Sequence, residues 1–135
     1  RIFRTVEMKL LLDTHTALWW WEDSPELSEK AKSSLSDPDA EIFFSPVSGY
    51  EIFQKVRTGK LQVPRALLMD LPGEVRREGW KVLPLGLEES VRAGTIESLH
   101  RDPFDRLLAA QSEIHDLTVV STDPFFRETG FRTLW

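Results

Sequence analysis

Three consecutive leucines, Leu10 to Leu12, run directly into Asp13, and this junction constrains the chain more than any other. With Met8 in front, the run is too short for a helix and reads as a buried strand. A carboxylate that closes a buried strand is costly to desolvate unless a partner or a cation meets it. The chain must therefore bring something compensating to the end of that strand.

The segments that follow alternate between helical and extended patterns. Thr14 to Glu22 reads as a short helix with Thr14 or Thr16 as its cap. Ser24-Pro25 is a second helix-start signal, followed by Leu27, Ala31 and Leu35 on one face. After the turn at Asp37-Pro38-Asp39 come a strand over Glu41 to Phe44 and a helix opened by Ser45-Pro46. That helix stops near Thr58 and Gly59. Its series Val47, Tyr50, Phe53, Val56 is expected to mark the buried face.

Leu61 to Gly79 is partly helical, with a break expected at Pro72-Gly73. A strand over Trp80 to Leu85 precedes a helix from Leu87 to about Leu99. Asp102-Pro103 opens another helix that runs to about His115. Leu117 to Ser121 is an apolar strand ending beside Asp123, and Phe131 to Leu134 is a last short strand. Strands alternating with helices imply a mostly parallel sheet covered on both faces, a three-layer α/β/α domain. One domain over residues 8–135 accounts for the pattern. Residues 1–7 precede Met8 as an upstream extension or an added segment and receive no role.

Composition narrows the chemistry. The 135 residues suit a single core, and 41% apolar with 29% charged residues fits a globular chain rather than a disordered one. No apolar run approaches the roughly 18 residues of a membrane span. Asp13 and His15 also interrupt the only stretch resembling a secretory signal. The absence of cysteine excludes disulfides, thiolate metal sites and cysteine nucleophiles, and suits a cytoplasmic location. His15, His100 and His115 lack zinc spacing, so any metal is expected to be a hard ion on oxygen ligands. A net charge of −5 argues against a simple basic nucleic-acid clamp but not against an acidic metal site.

In a parallel sheet, ligands gather beyond the carboxyl ends of the strands. Asp13 and Asp123 lie at two such ends, and Asp105 lies in the first turn and Glu51 in the second turn of helices that start at the same edge. Each acid also has a plain reading: Asp105 as a first-turn acid, Asp123 as a turn former before Pro124, Glu51 as a solvated residue. Asp102 before Pro103 reads as a helix cap. Four carboxylates at one edge repel and call for a cation. Mg²⁺ suits such a site, because it takes a few carboxylates, keeps waters, and lowers the pKa of a bound water for attack on phosphorus.

Other chemistries fit less well. A phosphatase of the haloacid-dehalogenase type needs a second acid where His15 stands, and a nucleotide enzyme needs a glycine loop where Asp13-Thr14-His15-Thr16 stands. A non-catalytic binding module with an acidic docking patch remains the alternative.

The segments KLLLDTHTALWW, SPVSGYEI, HRDPFDRLLAAQ and VVSTD, taken together and in this order, resemble the PIN domain. They resemble most the VapC-type ribonuclease toxins of toxin–antitoxin pairs. The resemblance implies a Mg²⁺- or Mn²⁺-dependent endoribonuclease that is dimeric, cytoplasmic and restrained by a cognate antitoxin. It places the family's acids on Asp13, Glu51, Asp105 and Asp123, and supporting hydroxyls on Thr14 and Thr122. Trp19, Trp20 and Trp21 cannot all enter one core face, so at least one should be partly exposed for an interface. Lys55, Arg101 and Arg106 read as solvated charges, with RNA phosphates as the rarer use.

Overall fold

The computed structural model describes residues 8–135, so the reading of residues 1–7 lies outside the described residues. Strand β1 (Lys9–Leu12) runs at the centre of a five-stranded sheet. On one side it pairs with β2 (Glu41–Phe44), which pairs with β3 (Lys81–Val82). On the other it pairs with β4 (Thr118–Val120), which pairs with β5 (Thr133–Leu134). The order β3-β2-β1-β4-β5 is parallel throughout. Central position explains the leucine run, since a parallel strand covered on both faces needs apolar residues at every step. Leu10 and Leu12 enter one core layer and Leu11 the other, all essentially without exposure.

Helices α1 (Thr14–Trp21), α2 (Glu29–Ser36) and α4 (Arg65–Arg77) cover the first face, and α5 (Leu87–Thr95), α6 (Pro103–Ile114) and α7 (Pro124–Glu128) cover the second. Helix α3 (Pro46–Arg57) contributes to both, through Ile52 and Val47. Gln111, fully buried in α6, fixes that helix to the sheet edge. Its amide donates to the carbonyls of Leu83 and Pro84 and accepts from Ser45 Oγ at 2.6 Å.

Several local expectations are corrected. Helix α2 starts at Ser28, whose hydroxyl accepts from the Ala31 amide, while Ser24-Pro25 forms a preceding turn with Leu27 N–H on Ser24 O. Leu27, Ala31 and Leu35 are nevertheless all buried. Helix α1 is entered from Asp13, and Thr14 and Thr16 bond elsewhere rather than cap it. The break in α4 falls at Asp70 (ψ 73°), two residues before Pro72. This position lets Pro72 sit in the first turn of a new segment, where its missing N–H leaves no bond unmade. Asp70 caps that segment by accepting from Gly73 N–H at 3.0 Å. Asp70→Ala is expected to lower stability by about 1 kcal/mol in urea unfolding.

On α3 the inward residues are Val47, Ser48, Glu51 and Ile52, whereas Tyr50 and Phe53 point outward. A spacing of three falls about 60° short of a full turn at each step, so the series Val47, Tyr50, Phe53, Val56 walks around the helix. Strand β3 is shorter than expected, α5 ends at Thr95 rather than near Leu99, and α7 is an additional short helix opened by Asp123. All three tryptophans of α1 are half-buried. Trp21 packs on Trp80 and Phe44, Trp19 packs on Trp135, and the Trp20 indole donates to Glu78. No helix among the described residues is long and apolar enough to cross a membrane.

Candidate functional site

The parallel pairing of β1 and β4 brings the ends of both strands to one edge. There Ser121 links two acids: its hydroxyl donates to Asp13 Oδ2 at 2.7 Å and accepts from the Asp123 amide at 3.0 Å. Asp123 caps α7 by accepting from Phe125 N–H. From α3, Glu51 points inward to this edge. Its Oε1 accepts from Thr14 Oγ1 at 2.7 Å, and Ser48 Oγ lies 2.8 Å from the same hydroxyl. Glu51 Oε2 pairs with Lys55 one turn on.

Asp105 lies in the first turn of α6 and is buried, with His100 Nε2 2.9 Å from its Oδ2. Asp102 caps the helix, accepting from the amides of Phe104 and Asp105, as its position before Pro103 suggests. Ligand atoms of His100, Asp105 and Asp123 lie within 4.8 Å of one another. The four acids thus meet at one edge in two groups. Asp105 and Asp123 stand with His100, whereas Asp13 is held by the Ser121 hydroxyl and Glu51 by the Thr14 hydroxyl and Lys55.

Charge in this cluster is poorly compensated. Burial pushes the Asp13 carboxyl above its usual range, against the lowering effects of Ser121, His15 and the Thr14 amide, and Glu51 adds to the rise. Burial likewise pushes Asp105 up to about 7. His100 opposes this, and the neighbouring Asp13, Asp102 and Asp123 reinforce it. Burial alone would lower the Lys55 ammonium, but the bond to Glu51 and the fields of Glu51, Asp102 and Asp105 outweigh it and raise its pKa. A cluster in which Asp13 and Asp105 resist ionisation without a cation is a fitting host for one.

Three residues have roles the sequence did not signal. Ser121, not the exposed Thr122, supplies the hydroxyl at the β4 end. His100 joins the acids from a loop, so no helical or zinc-type spacing announces it. Its ring stacks on Phe125 at 4.2 Å between centroids. Arg106 is not a solvated charge. Its guanidinium donates to the carbonyls of Ala93, Ile96, Ser98 and His100, shaping the loop that presents His100. This also explains why α5 stops at Thr95, since the carbonyls that follow are turned toward Arg106. Arg106→Ala should leave those carbonyls to solvent. Amide hydrogen exchange over residues 96–101 is expected to rise at least about tenfold while that of β1 is unchanged. Lys55 is likewise half-buried and ion-paired, and only Arg101 of the three cations is exposed.

A parallel α/β/α sheet with a carboxylate cluster at its carboxyl edge defines a class of proteins with an acidic site where ligands of open parallel sheets gather. Within that class the chain belongs to the PIN domain family, which it matches over residues 10–132. It is 27% identical over 117 residues to Ribonuclease VapC22 of Mycobacterium tuberculosis, covering 84% of this chain and 86% of that protein. Its fold is similar to that of VapBC2 from Rickettsia felis, solved bound to a DNA fragment from its promoter. The TM-score is 0.69 at 13% identity, over 94% of this chain and 98% of the other. It is also similar to FitAcB from Neisseria gonorrhoeae, with a TM-score of 0.65 at 18% identity over 93% and 96% of the two chains.

Proposed function

We propose that this chain is a divalent-metal-dependent endoribonuclease, acting in the cytoplasm as the toxin of a toxin–antitoxin pair. The observation that carries the reading is the convergence of Asp13, Glu51, Asp105 and Asp123 at one sheet edge with two of them driven upward in pKa by burial. Likeness to a protein named as a ribonuclease supports RNA as the substrate. A fold similar to that of a toxin–antitoxin complex from Klebsiella pneumoniae (TM-score 0.59 at 12% identity) supports an antitoxin partner. The half-buried tryptophans of α1 offer surface for that partner or for a second copy.

Asp13, Glu51, Asp105 and Asp123 would hold Mg²⁺, with Mn²⁺ as a substitute. The ion would supply charge for the phosphate and acidify a water for attack on phosphorus. The chain's own work is positional. Ser121 and Thr14 orient the carboxylates of Asp13 and Glu51, and His100 fixes Asp105. The half-buried ammonium of Lys55 offsets Glu51 and adds positive potential where a phosphate would approach.

The test is cleavage of an RNA pool by the purified protein with Mg²⁺, with chelator, and with the Asp13→Asn variant. Cleavage that needs both the metal and Asp13 supports the reading. Equal cleavage by the variant, with contaminating nuclease excluded, overturns the mechanism. Intact RNA in every arm despite measured metal binding favours the docking-patch alternative.

A further inference from the structure

The surroundings of the acid cluster differ in charge from one side to the other. Toward α7, the cleft beside His100 and Asp123 carries Glu97 and Glu128. Toward α3, the groove between the end of α3 and the start of α6 carries Lys55, Lys60 and Arg101, with Asp102 as its one carboxylate. Asp102 Oδ1 is already engaged as the helix cap. Among the described residues, Lys60 and Arg101 have no ion-pair partner, and both are exposed. A local surplus of cations stands out in a chain of net charge −5.

Aromatic surface adjoins these cations. Phe104 forms a wall of the groove, with Lys55 Nζ 5.9 Å from its ring centroid. Tyr50 stands beside Phe104 at 6.0 Å between centroids and is 63% exposed, although it lies on a helix whose other face is buried. Lys55 touches both regions, since its ammonium also pairs with Glu51. The groove therefore adjoins the acid cluster through Lys55. Cations that follow a backbone, next to aromatic faces that accept a base, are the two elements of single-strand recognition.

We propose that this groove is the track for single-stranded RNA leaving the acid cluster, with Lys60 and Arg101 on its phosphates and a base stacked on Tyr50 and Phe104. The proposal rests on the ribonuclease reading and adds the direction of the strand and the residues that hold it. Charge decides against the acidic cleft toward α7, where a phosphate chain is repelled. It also decides against a second copy that sets the same groove face to face with this one, because two cationic grooves repel each other.

The experiment is fluorescence anisotropy of a labelled random-sequence single-stranded RNA with full-length protein under chelator, over a salt series. Mg²⁺-dependent cleavage is measured alongside. Tyr50→Ala is expected to weaken binding about five- to a hundredfold, as loss of a stacked base does. Lys60→Gln with Arg101→Gln is expected to lower the slope of log affinity against log salt by about 1.4, roughly 0.7 for each lost phosphate contact. Lys30→Gln, at an exposed position of α2, serves as a control and should leave both unchanged. Wild-type affinity and slope in the groove variants, with cleavage intact in the wild type, overturn the track while the ribonuclease reading stands. No binding and no cleavage by the wild type overturn both. If Tyr50→Ala converts a dimer to a monomer in light scattering while RNA binds as before, the face is a protein interface and the proposal fails.

Discussion

Asp13→Asn is expected to reduce metal-dependent RNA cleavage by at least about a hundredfold and, in the same protein, to raise the melting temperature of the metal-free state. The two effects share one cause. Asp13 is 7% exposed and is pushed above its normal pKa by burial, with Glu51 adding repulsion. Asparagine keeps the shape and still accepts from Ser121 Oγ, but it carries no charge to desolvate. Removing a poorly compensated buried charge should raise the melting temperature by about 5 °C, whereas the lost charge can no longer help to hold a divalent ion. Opposite signs matter here, because a merely misfolded variant loses both stability and activity. Calorimetry under chelator paired with the cleavage assay reads them together, and a variant that loses stability as well as activity would contradict the account.

The second large effect is on pH dependence. Asp105 keeps its proton in the folded chain up to about 7, against a normal value of 3.8. Between those values the folded state binds more protons than the unfolded one, so stability falls as pH rises and the full penalty is present above about 7. Asp13 acts in the same direction. Glu41, Glu74, Glu89 and Glu113 are shifted downward by their partners and act in the opposite sense, but they finish titrating below about pH 5. The metal-free protein should therefore lose stability between about pH 5 and 8, by up to about 1.4 kcal/mol per pH unit for each coupled proton. Mg²⁺ should remove that slope, and its stabilisation should be larger at pH 8 than at pH 6. Asp105→Asn should flatten the slope without metal. A melting temperature independent of pH over that window under chelator would contradict the assignment.

Much of the arrangement was legible in advance because it follows from local rules. Short apolar runs between helical patterns gave the parallel sheet, and an acid closing Leu10 to Leu12 gave its carboxyl edge. The separation of Asp102 from Asp105 was also legible, since only the residue before Pro103 can cap α6. What escaped depends on contacts remote in sequence. Ser24-Pro25 is the start signal legible in the sequence, whereas the cap that forms is the hydroxyl of Ser28, with Ser24-Pro25 left in a preceding turn. Tyr50 and Phe53 are apolar yet face outward, because the inward positions of α3 go to Ser48 and Glu51, which serve the acid cluster. His100 sits in a loop whose shape is set by Arg106, so no periodicity could reveal it.

The bond from Ser121 to Asp13 joins positions 108 residues apart, across two neighbouring strands at the centre of the sheet. During synthesis, therefore, a growing chain carries Asp13, Glu51 and Asp105 well before it can assemble them. The strand that completes the cluster is among the last segments of this domain to be made. A domain of this connectivity folds only when it is nearly finished. The acid cluster is therefore assembled only after nearly the whole of the domain that carries it has been made.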